Sequence, residues 1–300
     1  SIPSVSADGQ VVAFVSAADN LVMGDRNRVA DVFVYHYATK KVKRISKLDN
    51  SVAPTQVELS GDGRFVVFDS TTNNLVDNDS NYFSDIFIYD SQTGFTEKIS
   101  NGLNDTNGDS YYSVVSDSGQ FVAFESQASN LVPDDTNSSS DVFVYDRVNG
   151  VTSRVSVNSQ GGEANGDSLR PRISADGRFI SFYSTASNLT GEDSLRKSHM
   201  GEHDGIYLYD RITGSTHLLT LALDKQWPDQ PLNPDFDMSA DASVIVFSSI
   251  AKNLTEYWPG LCKDNGSESS CFWRNTENIF RYDRLTGHMT LLSIESSGFP

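Results

Sequence analysis

The chain has 300 residues, of which 38% are apolar, so it can bury a substantial core and is not expected to be disordered. Its formal net charge is -17, and such a surface repels nucleic acid and anionic lipid. No apolar run approaches the roughly 20 residues that span a bilayer. The sequence starts at Ser1, and we expect a soluble chain that has been processed or trimmed, without membrane insertion.

A turn motif recurs along the chain and marks an internal repeat. It reads Ser-Ala-Asp-Gly or a close variant, and an Asn-Leu pair follows each copy. The turns lie at 6–9, 60–63, 116–119, 174–177 and 239–242, and the Asn-Leu pairs begin at Asn20, Asn74, Asn130, Asn188 and Asn253. The spacing between successive turns therefore grows from 54 to 65 residues. We expect each of these Asn residues to cap a turn and each following Leu to pack between repeats.

Each copy contains four short runs in which apolar and polar residues alternate, and no helical period is visible. We name the four predicted strands A, B, C and D. A small four-stranded sheet buries both faces only when its neighbours stack around an axis, so the sequence predicts an all-β protein, a β-propeller of five antiparallel blades. A solenoid with large loops is the alternative. The predicted single domain covers 1–300, with blades near 1–50, 51–103, 104–160, 161–224 and 225–300.

The segments GDGRFVVF (61–68) and DIFIYD (85–90), with their counterparts in the other copies, carry a resemblance to a known family. They resemble the PD40 (WD40-like) repeats of TolB-like β-propellers, and the resemblance covers essentially the whole chain. It implies a propeller that serves as an interaction domain, as the cover of a peptidase or as the scaffold of a lyase. TolB-like propellers have six blades, so the alternative to a five-bladed ring is that this chain is part of a six-bladed one.

An Asp-x-Asn-x-x-x-Asp cluster precedes strand C in the first three copies. Its oxygens resemble the start of a calcium loop, although the later Gly and Glu of that loop are missing. The preferred interpretation is that the Asn residues close Asx-turns and that the final Asp caps strand C by accepting backbone N–H bonds, with bound calcium as the alternative. In copies four and five, Gly205 and Asn278 replace the final Asp. The candidate calcium ligands are Asp25, Asn27, Asp31, Asp79, Asn81, Asp85, Asp135, Asn137 and Asp141.

The B–C loops of copies four and five are longer than those of the other copies, and the loop of copy five and the D–A link before it are rich in aromatic residues. Loop aromatics suit sugar stacking or protein contact, whereas the alternative is that they pack the long loop onto its own blade. A disulfide between Cys262 and Cys271 is preferred over two free thiols or half a metal site. The candidate ligand-binding residues are Arg170, Arg172, Trp227, Tyr257, Trp258, Phe272 and Trp273.

The sequence contains no recognisable catalytic motif. The pattern His-x-x-Glu-His at 199–203 needs a helix to join both imidazoles to one metal, and here it lies in a polar loop with Gly201 inside it. We therefore predict no catalytic residue. The preferred function is a secreted or periplasmic binding or scaffold module for a protein or glycan partner, bound on the face of the B–C loops and D–A links. The alternative is a carbohydrate-active enzyme, either a polysaccharide lyase or a glycoside hydrolase.

Overall fold

The computed structural model describes residues 3–46, 52–77, 79–102, 105–191, 204–222, 227–255 and 277–293. These residues form twenty strands, which pair in chain order into five four-stranded antiparallel sheets. No helix among them is long and apolar enough to cross a membrane. Each sheet lies inside one of the five ranges that the repeat predicts.

The strands follow the A to D order of the repeat. The first sheet contains β1 (Ser4–Val5), β2 (Val11–Ser16), β3 (Asp31–His36) and β4 (Lys41–Arg44). The second contains β5 (Val57–Leu59), β6 (Phe65–Ser70), β7 (Asp85–Asp90) and β8 (Thr96–Lys98). The third contains β9 (Ser110–Val115), β10 (Phe121–Ser126), β11 (Asp141–Asp146) and β12 (Val151–Arg154). The fourth contains β13 (Ser168–Ile173), β14 (Phe179–Ser184), β15 (Gly205–Asp210) and β16 (Ser215–Leu218). The fifth contains β17 (Leu232–Met238), β18 (Val244–Ser249), β19 (Asn278–Asp283) and β20 (His288–Leu291).

The core lies between successive sheets. Four apolar clusters join sheet one to two, two to three, three to four and four to five. The turns between strands A and B are also tied by backbone hydrogen bonds, such as Ala7 N to Gly61 O at 2.9 Å and Ala175 N to Ala240 O at 2.7 Å. Consecutive sheets therefore stack face to face with their A–B turns aligned.

The sheets curve around a common axis that is lined by their A strands. Glu58 of the second sheet lies within electrostatic range of Arg172 of the fourth and Asp237 of the fifth. Residues of non-adjacent sheets approach one another only where the stack curves inward, which a linear solenoid does not allow. The all-β fold and the five-bladed propeller are thus confirmed, and the solenoid alternative is wrong. A six-bladed ring and the limits of the domain stay predictions.

The face of the first blade that lies away from the second blade is less covered than the equivalent faces of the inner blades. Val5 is 59% exposed, whereas its counterparts Leu59 and Val115 are 5% and 8% exposed. A Cβ atom added to Gly119 would lie 2.0 Å from the Phe65 ring of the preceding blade, but one added to Gly9 would meet no atom within 4 Å. Among the described residues, no apolar cluster joins the fifth blade to the first.

This difference predicts unequal effects for two chemically identical substitutions. Gly119 and Gly9 have nearly the same left-handed backbone, with φ of 69° and 70°. Gly9→Ala should lower the free energy of unfolding by about 1 to 2 kcal/mol because of its φ alone. Gly119→Ala should have the same cost from its φ and should lower the free energy of unfolding by about 1 to 3 kcal/mol more, because its Cβ also overpacks the blade interface. Urea denaturation measures both, and equal losses would contradict the open packing of the first blade.

Candidate functional site

The B–C loops of the first three blades each bring two of the predicted aspartates to a basic side chain of strand D. In blade one, Arg44 Nη1 lies 2.8 Å from Asp25 Oδ1 and 3.3 Å from Asp31 Oδ2. In blade three, Arg154 Nη1 lies 3.4 Å from Asp135 and 3.3 Å from Asp141. The protein thus supplies a cation of its own between the carboxylates.

The basic residues were missed by sequence reasoning, although the repeat carries a signal for them. Arg44, Lys98 and Arg154 occupy the same position in strand D. The two blades in which Gly205 or Asn278 replaces the final Asp have leucine at that position, Leu218 and Leu291 respectively. Loss of the carboxylate and loss of the cation therefore occur together, as expected for a buried ion pair.

The asparagines of the clusters close Asx-turns. Asn81 Oδ1 accepts a hydrogen bond from Phe83 N at 2.9 Å, and its Nδ2 donates to Asp85 Oδ2 at 3.0 Å. Asn27 and Asn137 make the same two contacts in their own blades. The amide nitrogen, and not the oxygen that a metal requires, therefore faces the carboxylate in all three clusters.

The final Asp of each cluster supports strand C through a serine. Ile86 N donates to Ser100 Oγ at 3.0 Å, and Ser100 Oγ donates to Asp85 Oδ1 at 2.6 Å. Ser46 and Ser156 have the same role in blades one and three. The expectation of a direct bond from the backbone to the aspartate is corrected, because the hydroxyl at the end of strand D lies between them.

Within the described part of the chain, the cluster of blade two contains a third carboxylate, which comes from its D–A link. Lys98 Nζ lies 3.2 Å from Asp79 Oδ1 and 2.8 Å from Asp85 Oδ2, and it also pairs with Asp105 from the D–A link. Burial, and then the charge of Asp85, raise the pKa of Asp79 to about 6. One oxygen each of Asp79, Asp85 and Asp105 lies within 4.8 Å of the others, so this buried acidic group can hold a metal ion.

A second group of charged residues, which we call the axial cluster, consists of Tyr112, Arg170, Arg172, Asp235 and Asp237. Arg170 pairs with Asp235, and its guanidinium lies 5.0 Å from the centre of the Tyr112 ring. Arg172 Nε lies 3.3 Å from Asp237 Oδ1. Both arginines lie in the A strand β13 at the axis, and not in one of the loops of the predicted binding face.

Two residues of the axial cluster have a strained backbone. Tyr112 and Arg170 have φ of 52° and 53°, in strands whose pairing shifts register at a β-bulge. Glu125, which is buried, accepts a hydrogen bond from Arg170 N at 2.7 Å. Bulges redirect side chains and such strain is common at functional sites. Sequence reasoning missed Tyr112, Glu125, Asp235 and Asp237, because the bulges have no signature in the repeat.

Trp227 is buried in the apolar cluster between blades three and four. A Cβ atom on Gly205 would lie 3.3 Å from the Trp227 ring and 2.6 Å from Leu218 Cδ1. The indole and Leu218 thus occupy the space next to the position where the first three blades have an aspartate. The prediction that Trp227 is a ligand-binding residue of the loop face is corrected, because its side chain is buried in this apolar packing.

Several predicted site residues lie outside the described residues. They are the aromatic residues Tyr257, Trp258, Phe272 and Trp273, the cysteines Cys262 and Cys271, and the pattern at 199–203. Asp204, which follows that pattern, is described, and it accepts hydrogen bonds from the Tyr183 hydroxyl and from Leu232 N. Its carboxylate therefore links strands of blades four and five.

Comparison with solved structures identifies the fold. The chain is similar to a putative TolB from Agrobacterium tumefaciens, with 15% identity over 96% of this chain and 78% of that chain, and a TM-score of 0.54. It is similar to TolB from Acinetobacter baumannii, with 17% identity, 96% and 53% coverage and a TM-score of 0.50, so it spans about half the length of that chain. An oligogalacturonate lyase in complex with manganese matches with 13% identity, 96% and 63% coverage and a TM-score of 0.53.

These likenesses show that the chain has a TolB-like β-propeller fold. No protein-family model matches the chain, and no curated protein matches it. Because one fold hosts many activities, the function must be argued from the residues of the site.

The ion pair of blade three predicts a strong coupling between two residues. Arg154→Leu should lower the free energy of unfolding by about 3 kcal/mol, because it leaves the fully buried Asp141 without its cation. Adding Asp141→Asn should restore part of this loss, since Asn278, at the same position in blade five, already accepts a hydrogen bond from the Ser293 hydroxyl. Urea denaturation of the single and double variants measures the coupling, and additive losses would contradict it.

The buried Glu125 predicts a pH dependence of stability. Burial raises the pKa of Glu125 above its ordinary value of 4.5, so the folded state favours the protonated form. The stability of the protein relative to Glu125→Gln should therefore decrease as pH rises above about 4.5. Glu163 is the control, because its hydrogen bond from Thr136 lowers its pKa. Relative to Glu163→Gln, the protein should lose stability as pH falls below about 4.5. Thermal melts from pH 3 to pH 8 test the opposite signs.

Proposed function

We propose that the protein is a secreted or periplasmic binding module whose axial cluster receives a partner that carries carboxylate groups, either a protein or a glycan. The observation that carries this proposal is the pair of strained residues, Tyr112 and Arg170, which place an aromatic ring and a guanidinium side by side on neighbouring A strands. Guanidinium groups bind carboxylates with two parallel hydrogen bonds, and aromatic rings stack on sugars and peptide groups.

The aspartates of the axial cluster are suited to release the arginines when a partner binds. The side chains of Asp235 and Asp237 are 68% and 81% exposed. Exposed ion pairs contribute only about 0 to 1 kcal/mol, so a partner carboxylate can replace either aspartate at a small energetic cost. Because the net charge of -17 repels anions at long range, such binding should be short-range and selective.

The long loops of blades four and five extend this binding surface in our proposal. We propose that Tyr257, Trp258, Phe272 and Trp273, which the sequence assigns to the B–C loop of blade five, contribute to the face of the B–C loops and D–A links. A disulfide between Cys262 and Cys271 would shorten the free part of this loop. We also propose that calcium stabilises the protein through its B–C loop carboxylates, for which the three acidic residues of blade two are the best support.

A carbohydrate-active enzyme, either a polysaccharide lyase or a glycoside hydrolase, is the second candidate. Burial raises the pKa of Glu58 and of Glu125, and carboxyl groups with raised pKa can act as general acids. Glu58 lies near the axis with Arg172, where a sugar carboxylate could bind. The similarity in fold to an oligogalacturonate lyase is in line with this candidate, without determining it.

Binding assays with substituted arginines test the proposed function. Arg170→Asn removes the guanidinium and keeps a residue type that tolerates positive φ. Arg172→Gln removes the second guanidinium. We expect each variant to bind acidic peptides or uronic-acid polysaccharides at least about 10-fold more weakly, since a charged hydrogen bond contributes roughly 1.5 to 3 kcal/mol. Microscale thermophoresis on a panel of both ligand types measures the affinity.

Arg178→Gln is the matched control, because Arg178 pairs with Asp210 beside the A–B turns and away from the axial cluster. It should bind as the unchanged protein does. Equal affinity of all three variants would contradict the axial site. New reducing or unsaturated ends after incubation with a polysaccharide would favour the enzyme over the binding module.

A further inference from the structure

The charge balance distinguishes the carboxylate cluster of blade two from those of blades one and three. Blade one pairs two aspartates with Arg44. Blade three adds a third carboxylate, Glu163, but a quarter of that side chain is exposed to solvent. In blade two, three aspartates share the single ammonium of Lys98, and their side chains are 1%, 0% and 14% exposed. Among the residues that the structure describes, blade two therefore has the largest excess of buried carboxylates over basic groups.

One oxygen of this cluster lacks a partner. Asp79 Oδ2 is buried and accepts no hydrogen bond, while Oδ1 of the same carboxylate pairs with Lys98 at 3.2 Å. A buried carboxylate oxygen without a partner loses its hydration with no compensation. The neighbouring Asp85 and Asp105 each present an oxygen within 4.8 Å of this carboxylate. A cation bound by both oxygens of Asp79 and by these two neighbours would satisfy the orphaned oxygen and offset the excess charge.

We propose that blade two binds one Ca²⁺ through Asp79, Asp85 and Asp105, with the Lys98 ammonium moving out from between them. This inference rests on the proposal that calcium stabilises the protein, and it narrows that proposal to one blade and a new set of ligands. Asp105 of the D–A link replaces the sequence-predicted Asn81, whose amide nitrogen donates to both Asp85 and Asp105 and would turn away together with the Lys98 ammonium. Calcium is the cation best suited to three hard carboxylate ligands in a loop.

Lysine at position 98 makes the exchange feasible. Its ammonium is a compact charge on a flexible four-carbon stem, so it can leave the cluster by rotating its side chain. Arg44 and Arg154 carry a planar guanidinium that is harder to reposition. In blade three, the Arg154 guanidinium also donates a hydrogen bond to the Asp134 carbonyl at 2.9 Å. Blades one and three therefore retain their own cation, and blade two is the one that exchanges it for calcium.

Calcium titration of the purified chain, first treated with EDTA and then dialysed, tests the site. We expect calcium to raise the melting temperature and to bind with one ion per chain in isothermal titration calorimetry. Asp105→Asn should weaken binding by about 10-fold or more, because it removes a charged ligand. Lys98→Met should bind calcium more tightly than the unchanged protein, since the competing ammonium is gone.

Asp25→Asn is the matched control, because Asp25 has the place in blade one that Asp79 has in blade two. It should bind calcium as the unchanged protein does. Absence of binding by both the unchanged protein and Lys98→Met would overturn the inference. If calcium stabilises the protein but Asp105→Asn binds it with unchanged affinity, calcium stabilisation stands and this ligand set is wrong. Neither result affects the axial cluster, which the arginine variants test separately.

Discussion

The structure depends on the burial of each small sheet between two neighbouring sheets. A single four-stranded blade has two apolar faces, and only stacking around an axis covers both. The contact of a turn glycine with the aromatic ring of the preceding blade, as between Gly119 and Phe65, fixes how closely two blades approach. The inner blades are therefore packed on both faces, whereas the first blade leaves the face around Val5 open.

The same stacking brings polar groups out of water, and the protein neutralises them in two ways. Blades one to three bury a carboxylate and pair it with a basic residue of strand D, as Asp31 does with Arg44. Blades four and five have leucine at the basic position, and blade four covers the vacated space with Trp227. Ion pairs and apolar packing are known alternatives at one buried position, and this repeat contains both. Of the described clusters in the first three blades, that of blade two has the most buried carboxylates for its one basic group.

The axis is where the repeat departs from regular geometry. Bulges in β9 and β13 accompany the positive φ of Tyr112 and Arg170, and Glu125 accepts a hydrogen bond from the strained backbone of Arg170. A regular strand would avoid this strain, so a functional reason for it is the simplest explanation. Because the aspartates at the axis are exposed, the arginines are held there without being sealed off from a partner.

The sequence alone determined the fold, because the period of two in each strand and the fivefold turn motif reflect local geometry that every blade repeats. It also located the aspartates of the B–C loops. Their partners could have been predicted as well, because the first three copies have a basic residue (Arg44, Lys98, Arg154) where the last two have leucine (Leu218, Leu291). Only the tertiary structure decided that Trp227 is a core residue and that Arg170 and Arg172 lie at the axis. It alone brought Asp105 to the cluster of blade two. These contacts join residues far apart in the chain, or depend on bulges and burial, and neither feature leaves a periodic trace in the sequence.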